Sequence, residues 1–391
     1  MDFGGFGNPF LYWTLKSLLL IILFYVGYQI SFKDKEGVNY WRNCAIAIVA
    51  YSLEIGLRWN RSYDYPHYYQ DLTGRLYTDY SDILYLWWID IFKASSLPFW
   101  VAFIFYSFIL IFGFCLVMKH YRQYAYLALP LLMLIPGEMV ENHIRQFFAF
   151  AFILIGYYYL LEKKYSYNIL FFLIAIGIHN GIAFAAVFIY FVEFTRFDNK
   201  FLSKPLLLIC GYLAFYFIWE TANLDGFAQW IGERLQSSDD INTSRYLDNV
   251  DYWLTDESNI TEKLENVYGV KGGGKVKLYY IVMQQGFICG ILYFGQKLAS
   301  ISPKFRLPLW VYVFTVFMNI FGSNNEIFSR FNSMIYVFYA FLIPGIMSDV
   351  EMKPIVKKLC WLLLFYFFIY SGFIRQFFVL KWTGYQYIWD M

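Results

Sequence analysis

Long apolar runs broken by short charged stretches set the pattern of this chain. The runs lie at about 10–30, 43–57, 98–118, 125–136, 145–161, 168–178, 181–194, 205–220, 278–296, 307–321, 332–348 and 358–374. Each reads as a helix, since about 20 apolar residues rising ~1.5 Å apiece cover the ~30 Å hydrocarbon core of a bilayer. Several runs are shorter than that, so their ends must extend into the flanking tyrosines, tryptophans and phenylalanines that settle at membrane interfaces. The pattern predicts an all-α polytopic membrane protein with about twelve transmembrane helices. It forms a single membrane domain over 1–391, with long outer loops at 58–97 and 221–277.

Lysine and arginine give the expected orientation. With 31–42 placed in the cytoplasm, the inner loops hold sixteen Lys/Arg in 54 residues, against fourteen in 136 residues outside. That asymmetry is the positive-inside pattern, and it puts both termini outside. The parity requires two segments within 168–194, where runs of 11 and 14 residues meet at His179-Asn180-Gly181. Two half-length helices meeting at a polar turn make a re-entrant hairpin or a pair of tilted crossings. The stretch Asp79 to Phe92 is too short to span and suits a helix lying in the outer interface. Loop 221–277 carries ten Asp/Glu against six Lys/Arg and several aromatic residues, which fits a small cap or a surface that stacks on sugar rings.

Composition agrees with this picture. The chain is 59% hydrophobic, 24% aromatic and only 15% charged, which excludes an ordinary soluble enzyme. A net charge of +2 with no basic block gives no sign of nucleic-acid binding. Cys44, Cys115, Cys210, Cys289 and Cys360 sit singly in apolar runs, so neither a disulfide framework nor a metal site is expected. The start, Met1-Asp2-Phe3-Gly4, lacks a basic n-region and a small-residue cleavage site, so the first helix is expected to be retained.

The polar residues that remain fall on one side of the predicted topology. Arg58, Arg61, Asp64, Tyr65, His67 and Tyr68 follow the second run; Glu141, His143, Arg145 and Gln146 open the fifth. His179 and Asn180 sit at the break, with Arg330 and Arg375 at later outer ends. Charge at the end of a membrane helix is expensive unless it binds something or anchors at the headgroups. An arginine fork stays charged and makes bidentate bonds to phosphate oxygens, and a helix N-terminus adds to that attraction. No HExxH or P-loop is present, and outside Asp239-Asp240 the outer loops hold no DxD-like pair. Stabilisation of a leaving pyrophosphate by arginine, without metal or cofactor, therefore fits the residues better than metal activation. Asp64, His67, Glu141, His143 and His179 are candidates to accept a proton from an attacking hydroxyl.

At these residues the chain resembles the EpsG family, a branch of the Wzy-type polysaccharide polymerases of bacteria. Arg58-Trp-Asn-Arg-Ser-Tyr-Asp-Tyr-Pro-His-Tyr68 resembles the family's Arg…Asp-Tyr…Tyr element after the second helix. Ile144-Arg145-Gln146-Phe-Phe-Ala149 resembles its Ile-Arg-Gln helix opening, and Ala175-Ile-Gly-Ile-His179 its apolar run ending in His. Arg330-Phe331 resembles its Arg-aromatic start of a late helix. Asn180-Gly181 and Asn332 depart from the usual pattern, and loop 221–277 carries nothing over. The resemblance implies a glycosyltransferase of the bacterial plasma membrane with its active site facing outward. Its substrates would be undecaprenyl-pyrophosphate-linked oligosaccharides, the growing glycan passing from its carrier to a new lipid-linked repeat. Membrane lipids, and a flippase and chain-length regulator of the same pathway, are the implied partners.

On that reading Asp64, His179, Arg145 and Arg330 are candidate catalytic groups. Arg58, Arg61, Tyr65, His67, Tyr68, Glu141, His143, Gln146, Asn180 and Arg375 are candidate substrate-binding groups. Two alternatives stand beside it. A lipid-linked oligosaccharide flippase or transporter needs polar groups at mid-membrane depth, where Lys16 is the main charged residue. An O-antigen ligase shares the donor chemistry and differs in its acceptor.

Overall fold

A computed structural model describes residues 7–62, 64–74, 82–195, 204–222, 278–321, 332, 334–378 and 384–390. Numbered in chain order, its α-helices begin with α1 (Pro9–Tyr28), α2 (Tyr40–Gly56), α3 (Tyr65–Thr73), α4 (Ile83–Ala94) and α5 (Phe99–Met118). They continue with α6 (Ala125–Leu134), α7 (Met139–Asn142), α8 (Ile144–Leu161), α9 (Tyr165–Ile178) and α10 (Ala183–Thr195). The last are α11 (Pro205–Ala222), α12 (Leu278–Ile301), α13 (Arg306–Phe321), α14 (Tyr339–Asp349) and α15 (Pro354–Leu364). The fold is all-α: no strand occurs among the described residues, and the sole β feature there is an isolated antiparallel bridge between Arg58 and Tyr387.

Among the described residues the apolar runs lie mainly on helices, but fewer of these helices than runs have spanning length. Among the described residues four helical stretches are long and apolar enough to cross a membrane: Pro9–Lys33, Phe99–Leu134, Ile144–Leu161 and Pro354–Phe377. The second of these bends at Tyr121 (φ −119°, ψ 20°), where α5 gives way to α6. Tyr165–Ile178, Asn180–Phe194, Pro205–Ile218 and Tyr336–Asp349 are apolar but shorter. At 14 residues, α9 is about 21 Å long and falls short of a ~30 Å core. It stops because His179 takes an extended conformation (φ −154°, ψ 107°), after which a single 3₁₀ turn, Asn180–Ile182, leads into α10.

α5 holds the centre. It is apolar on every side, as a helix surrounded by other helices or lipid must be, and packs against α2 on one flank and α8 on another. α8 in turn lies along α9, and α2 along α1. Gly56 permits a close α2–α5 approach, since a Cβ there would stand 2.5 Å from the Ile104 Cα. That contact brings the end of α2, and with it Arg58, hard against the middle of the bundle.

Two local elements differ from the sequence expectation. α3 is a helix in a stretch read as loop; Pro66 in its first turn suits a helix start, and Gly74 (φ +151°) ends it. The helix expected to lie in the interface begins at Ile83, immediately after Asp82, and residues 79–81 lie outside the described residues. Its buried stripe is Tyr85, Ile89 and Phe92, with Ile83, Trp87 and Ile91 exposed on another face. Both Arg330 and residues 223–277 also lie outside the described residues.

Candidate functional site

Two charged clusters meet where α2, α3, α4, α8 and the α9–α10 break come together. The first is built on the residues just past α2. Arg58 donates to the Ile55 carbonyl at 2.5 Å, satisfying one of the open acceptors at the helix end, and to the Glu141 carbonyl at 3.4 Å. Its guanidinium lies 5.1 Å from the Phe103 ring centroid and 5.9 Å from that of Tyr65. Arg61 lies 4.5 Å from the Tyr387 ring and 5.0 Å from the Tyr12 ring. Such contacts between guanidinium and aromatic faces are stabilising where water is excluded.

Acidic partners complete this cluster. Lys16 Nζ stands 2.7 Å from Glu141 Oε1 and 3.0 Å from Glu54 Oε2. Arg61 reaches Glu54 Oε1 at 3.5 Å and Glu141 Oε1 at 3.6 Å. The Tyr387 hydroxyl donates to Glu54 Oε1 at 3.0 Å. Arg58 and Arg61 are only 1% and 2% exposed. Burial lowers the Arg58 pKa from its usual value. Burial acts on Arg61 in the same direction, but the carboxylates of Glu141 and Glu54 outweigh it and raise that pKa. A lone buried charge is costly, and a paired, hydrogen-bonded set is the form in which it survives.

The C-terminal segment closes over this network. Trp59 N–H donates to the Gln386 carbonyl and Ile388 N–H to the Leu57 carbonyl, both at 3.0 Å. These two bonds frame the Arg58–Tyr387 bridge. The Tyr65 hydroxyl donates to the Arg58 carbonyl at 3.0 Å, and its ring stacks on Phe103 at 4.7 Å.

The second cluster centres on Asp82, the residue before α4. Arg145 Nη1 stands 2.9 Å from Asp82 Oδ2, and the Asn180 N–H donates to Asp82 Oδ1 at 2.9 Å. His179 Nδ1 lies 3.9 Å from Asp82 Oδ2. Arg145 also faces the Tyr85 ring at 5.5 Å, while its backbone N–H donates to the Tyr68 hydroxyl at 3.4 Å. Burial pushes the Asp82 carboxyl up, but the His179 imidazole, the Arg145 guanidinium and the Asn180 amide together outweigh it and hold the group below its ordinary value. The Arg145 side chain is 14% exposed, well above Arg58 and Arg61. An ionised carboxylate thus tethers a guanidinium and an imidazole from two different helices. The guanidinium is suited to gripping an oxyanion and the imidazole to accepting a proton.

The short span from Glu141 to Arg145 connects the two clusters. Glu141 reaches back to Lys16 and Arg61, and Arg145 reaches across to Asp82. Between them Asn142 Oδ1 accepts from the Asp64 N–H at 3.2 Å, which ties the start of α3 to the same span. His143 is buried at the joint between α7 and α8, with Gln146 half-buried one residue beyond Arg145. His67 is half-buried on α3.

Of the residues singled out in the sequence, the first cluster therefore collects Arg58, Arg61, Tyr65 and Glu141, and the second Tyr68, Arg145, His179 and Asn180. Arg375 joins neither: it is exposed on the turn Ile374–Phe378. Two acids of these clusters escaped notice in the sequence. Glu54 is the single acid within the run 43–57, and an acid inside an apolar run is itself a signal. Asp82 lay within the stretch read as an interfacial helix, where one aspartate looks like an ordinary helix start. Among the described residues no three His, Cys, Asp or Glu side chains are grouped as a metal ion would need.

Comparison with known proteins adds one match. The model of the EpsG family aligns over residues 41–387, which takes in both clusters and nearly the whole chain. No curated protein and no solved structure matches the chain. On the strength of that alignment, the chain belongs to the EpsG family, a family of Wzy-type polysaccharide polymerase-like membrane proteins.

Proposed function

We propose that this protein is a polysaccharide polymerase of the bacterial plasma membrane, a metal-independent glycosyltransferase whose site faces outward. A growing glycan leaves its undecaprenyl-pyrophosphate carrier and joins the terminal sugar of a lipid-linked repeat. The observation that carries this reading is the Arg145–Asp82–His179 cluster in a member of the EpsG family. About twelve crossings, with both termini outside, remain the topology of the proposal.

In the proposed step the acceptor hydroxyl gives its proton to His179 Nε2 and its oxygen bonds to the anomeric carbon. The bond from that carbon to the carrier's diphosphate breaks, and the diphosphate leaves with its electron pair. Arg145 meets the charge that develops on the leaving group. Asp82 holds His179 in the orientation that directs Nε2 outward and favours its protonated form afterwards. Asp64, at the start of α3, and Arg330 are further candidates to touch the substrate, with Tyr68, His143 and Gln146 at the edge of the same site. Arg58 and Arg61 have a different part. Buried and held by carbonyls and carboxylates, they fix the span Glu141–Arg145 from behind.

The test is reconstitution. Purified protein in vesicles is given lipid-linked repeats, and chain growth is followed on a gel. Arg145→Ala and His179→Ala are expected to leave single repeats unextended. In the host, deletion is expected to abolish the long-chain ladder and leave single-repeat product. Normal ladders from both variants would remove the site assignment, and loss of single-repeat product as well would favour a flippase.

A further inference from the structure

Of the four spanning stretches among the described residues, the one that α15 opens is the least enclosed. Only 6% of the apolar window of Pro354–Phe377 is buried within the protein, against 72% for Ile144–Leu161. Between α15 and the neighbouring α12 and α14 runs an apolar slot of about 200 Å³. Val356, Leu359 and Leu363 wall it on α15, Phe294 on α12 and Ile343 on α14. Two glycines one turn apart on α12, Gly286 and Gly290, also line it. A Cβ added at either would meet nothing within 4 Å among the described residues. Glycines spaced in this way let an apolar body lie close to a membrane helix, and no described helix takes that place.

The two ends of the slot differ. Toward the outer side of the proposed topology, the Phe287 ring closes it against Phe367 at 5.0 Å and Phe368 at 6.1 Å. At the other end α12 and α14 finish together, since a Cβ on Gly345 would stand 2.8 Å from Leu298 Cδ2. Cations gather there. Lys297 Nζ lies 4.5 Å from the Tyr293 ring centroid and 6.0 Å from that of Phe294, which puts its charge beside the slot wall. Lys353 caps α15, and Lys357 and Lys358 directly follow Val356. On the adjoining stretch Asp349 bonds the Tyr124 hydroxyl, and Glu351 is exposed. Four lysines against these two acids leave the mouth positive. From Phe287 to Phe294 the slot is about 10 Å long at ~1.5 Å per residue. A 10 Å length of helix, ~10 Å across, takes up roughly 800 Å³, so the slot admits an acyl chain and not a helix.

We infer that this slot binds an anionic phospholipid of the inner leaflet, with one acyl chain between α12, α14 and α15 and its phosphate at Lys297 and Lys357. Hydrocarbon does not choose the occupant, because a lipid tail is as apolar as the wall it meets. The head does: a lysine at the membrane surface favours anionic lipid by about fivefold. The lipid supplies close packing on a side of α15 that no described helix covers. It is a component of the membrane and not a substrate, so the inference stands apart from the proposed reaction.

The experiment counts bound lipid. Full-length protein is reconstituted in nanodiscs of equal phosphatidylcholine and phosphatidylglycerol and then extracted in mild detergent. The phospholipid retained per molecule is identified by mass spectrometry. The parent is expected to keep phosphatidylglycerol over phosphatidylcholine by about tenfold or more. Lys297→Gln combined with Lys357→Gln is expected to bring that ratio within about threefold. Gly290→Leu and, separately, Gly286→Leu direct a side chain into the slot. The added Cβ meets nothing within 4 Å, and leucine suits a helix better than glycine, so both are expected to melt cooperatively. Each is expected to retain at least about fivefold less phosphatidylglycerol, a loss of about 1 kcal/mol in affinity. Glycerol phosphate, a related head without a tail, is expected to displace none. Equal retention of the two lipids by the parent overturns the inference. So does unchanged retention in both folded glycine variants, or displacement by glycerol phosphate, which would mean contact with the head alone.

Discussion

Arg61 and Arg145 are the same residue type, each tied to carboxylates, and their surroundings give them different work. Arg61 is packed between two aromatic rings and two glutamates, with almost no surface. Arg145 pairs with the Asp82 carboxylate, which also has the His179 imidazole beside it, and keeps an exposed edge. The lesson is that an arginine at a membrane helix end is a candidate ligand-binding group only when its charge is not already enclosed. A buried and balanced guanidinium shapes the protein; a half-buried one on a tethered carboxylate is available to act on what arrives.

The sharpest way to break this contrast is to unbalance the enclosed network. Glu141→Ala removes the carboxylate that Lys16 and Arg61 share, leaving buried cations short of a partner. Losing one partner of a buried pair costs about 3–5 kcal/mol, so the variant is expected to show the largest fall in a denaturant melt in detergent. Arg145→Ala is expected to act on rate instead. Chain extension should drop about 10²-fold, in line with the loss of one charge-stabilising donor, while the melt moves less than for Glu141→Ala. A smaller effect is expected from Gly56→Ala, whose Cβ would press on the Ile104 backbone and force α2 from α5. Overpacking of that kind costs about 1–3 kcal/mol and is read by the same melt. Least of all, Tyr387→Phe removes the hydroxyl that bonds Glu54, a change worth about 1 kcal/mol.

Acid separates the clusters in another way. The Asp82 carboxyl titrates below its ordinary value near 3.8, so its contribution to stability is complete above that pH. It is lost as pH falls through the lower, folded-state value. Wild-type protein is therefore expected to lose stability on acidification below about pH 3.8, and Asp82→Asn to lack that part of the loss. Melts collected across this range check it.

Much of the architecture was readable from hydropathy, because a span of carbon-rich residues leaves the backbone in lipid no alternative to a helix. The break at His179 and the helix start beside Arg145 both fell where polar residues interrupt apolar runs. The number of spans was harder to read. α9 and α10 are apolar but short, and composition does not say whether a short apolar helix crosses or turns back. The site was legible in its parts and not in its pairing. Lys16 and Glu141 are 125 residues apart, and no local pattern says that one neutralises the other. Likewise the return of Tyr387 to Arg58 depends on where the last helix leaves the chain end. α3 escaped because its stretch reads as a loop whose tyrosines meet substrate, when two of them, Tyr65 and Tyr68, turn inward to bond the backbone of Arg58 and Arg145.

The division of labour between enclosed and accessible arginines is tested most directly by the extension rate per folded molecule of purified Arg145→Ala on lipid-linked repeats, measured beside wild type. The account expects a fall of about 10²-fold in protein that still melts cooperatively. Extension at the wild-type rate by that folded variant would contradict it.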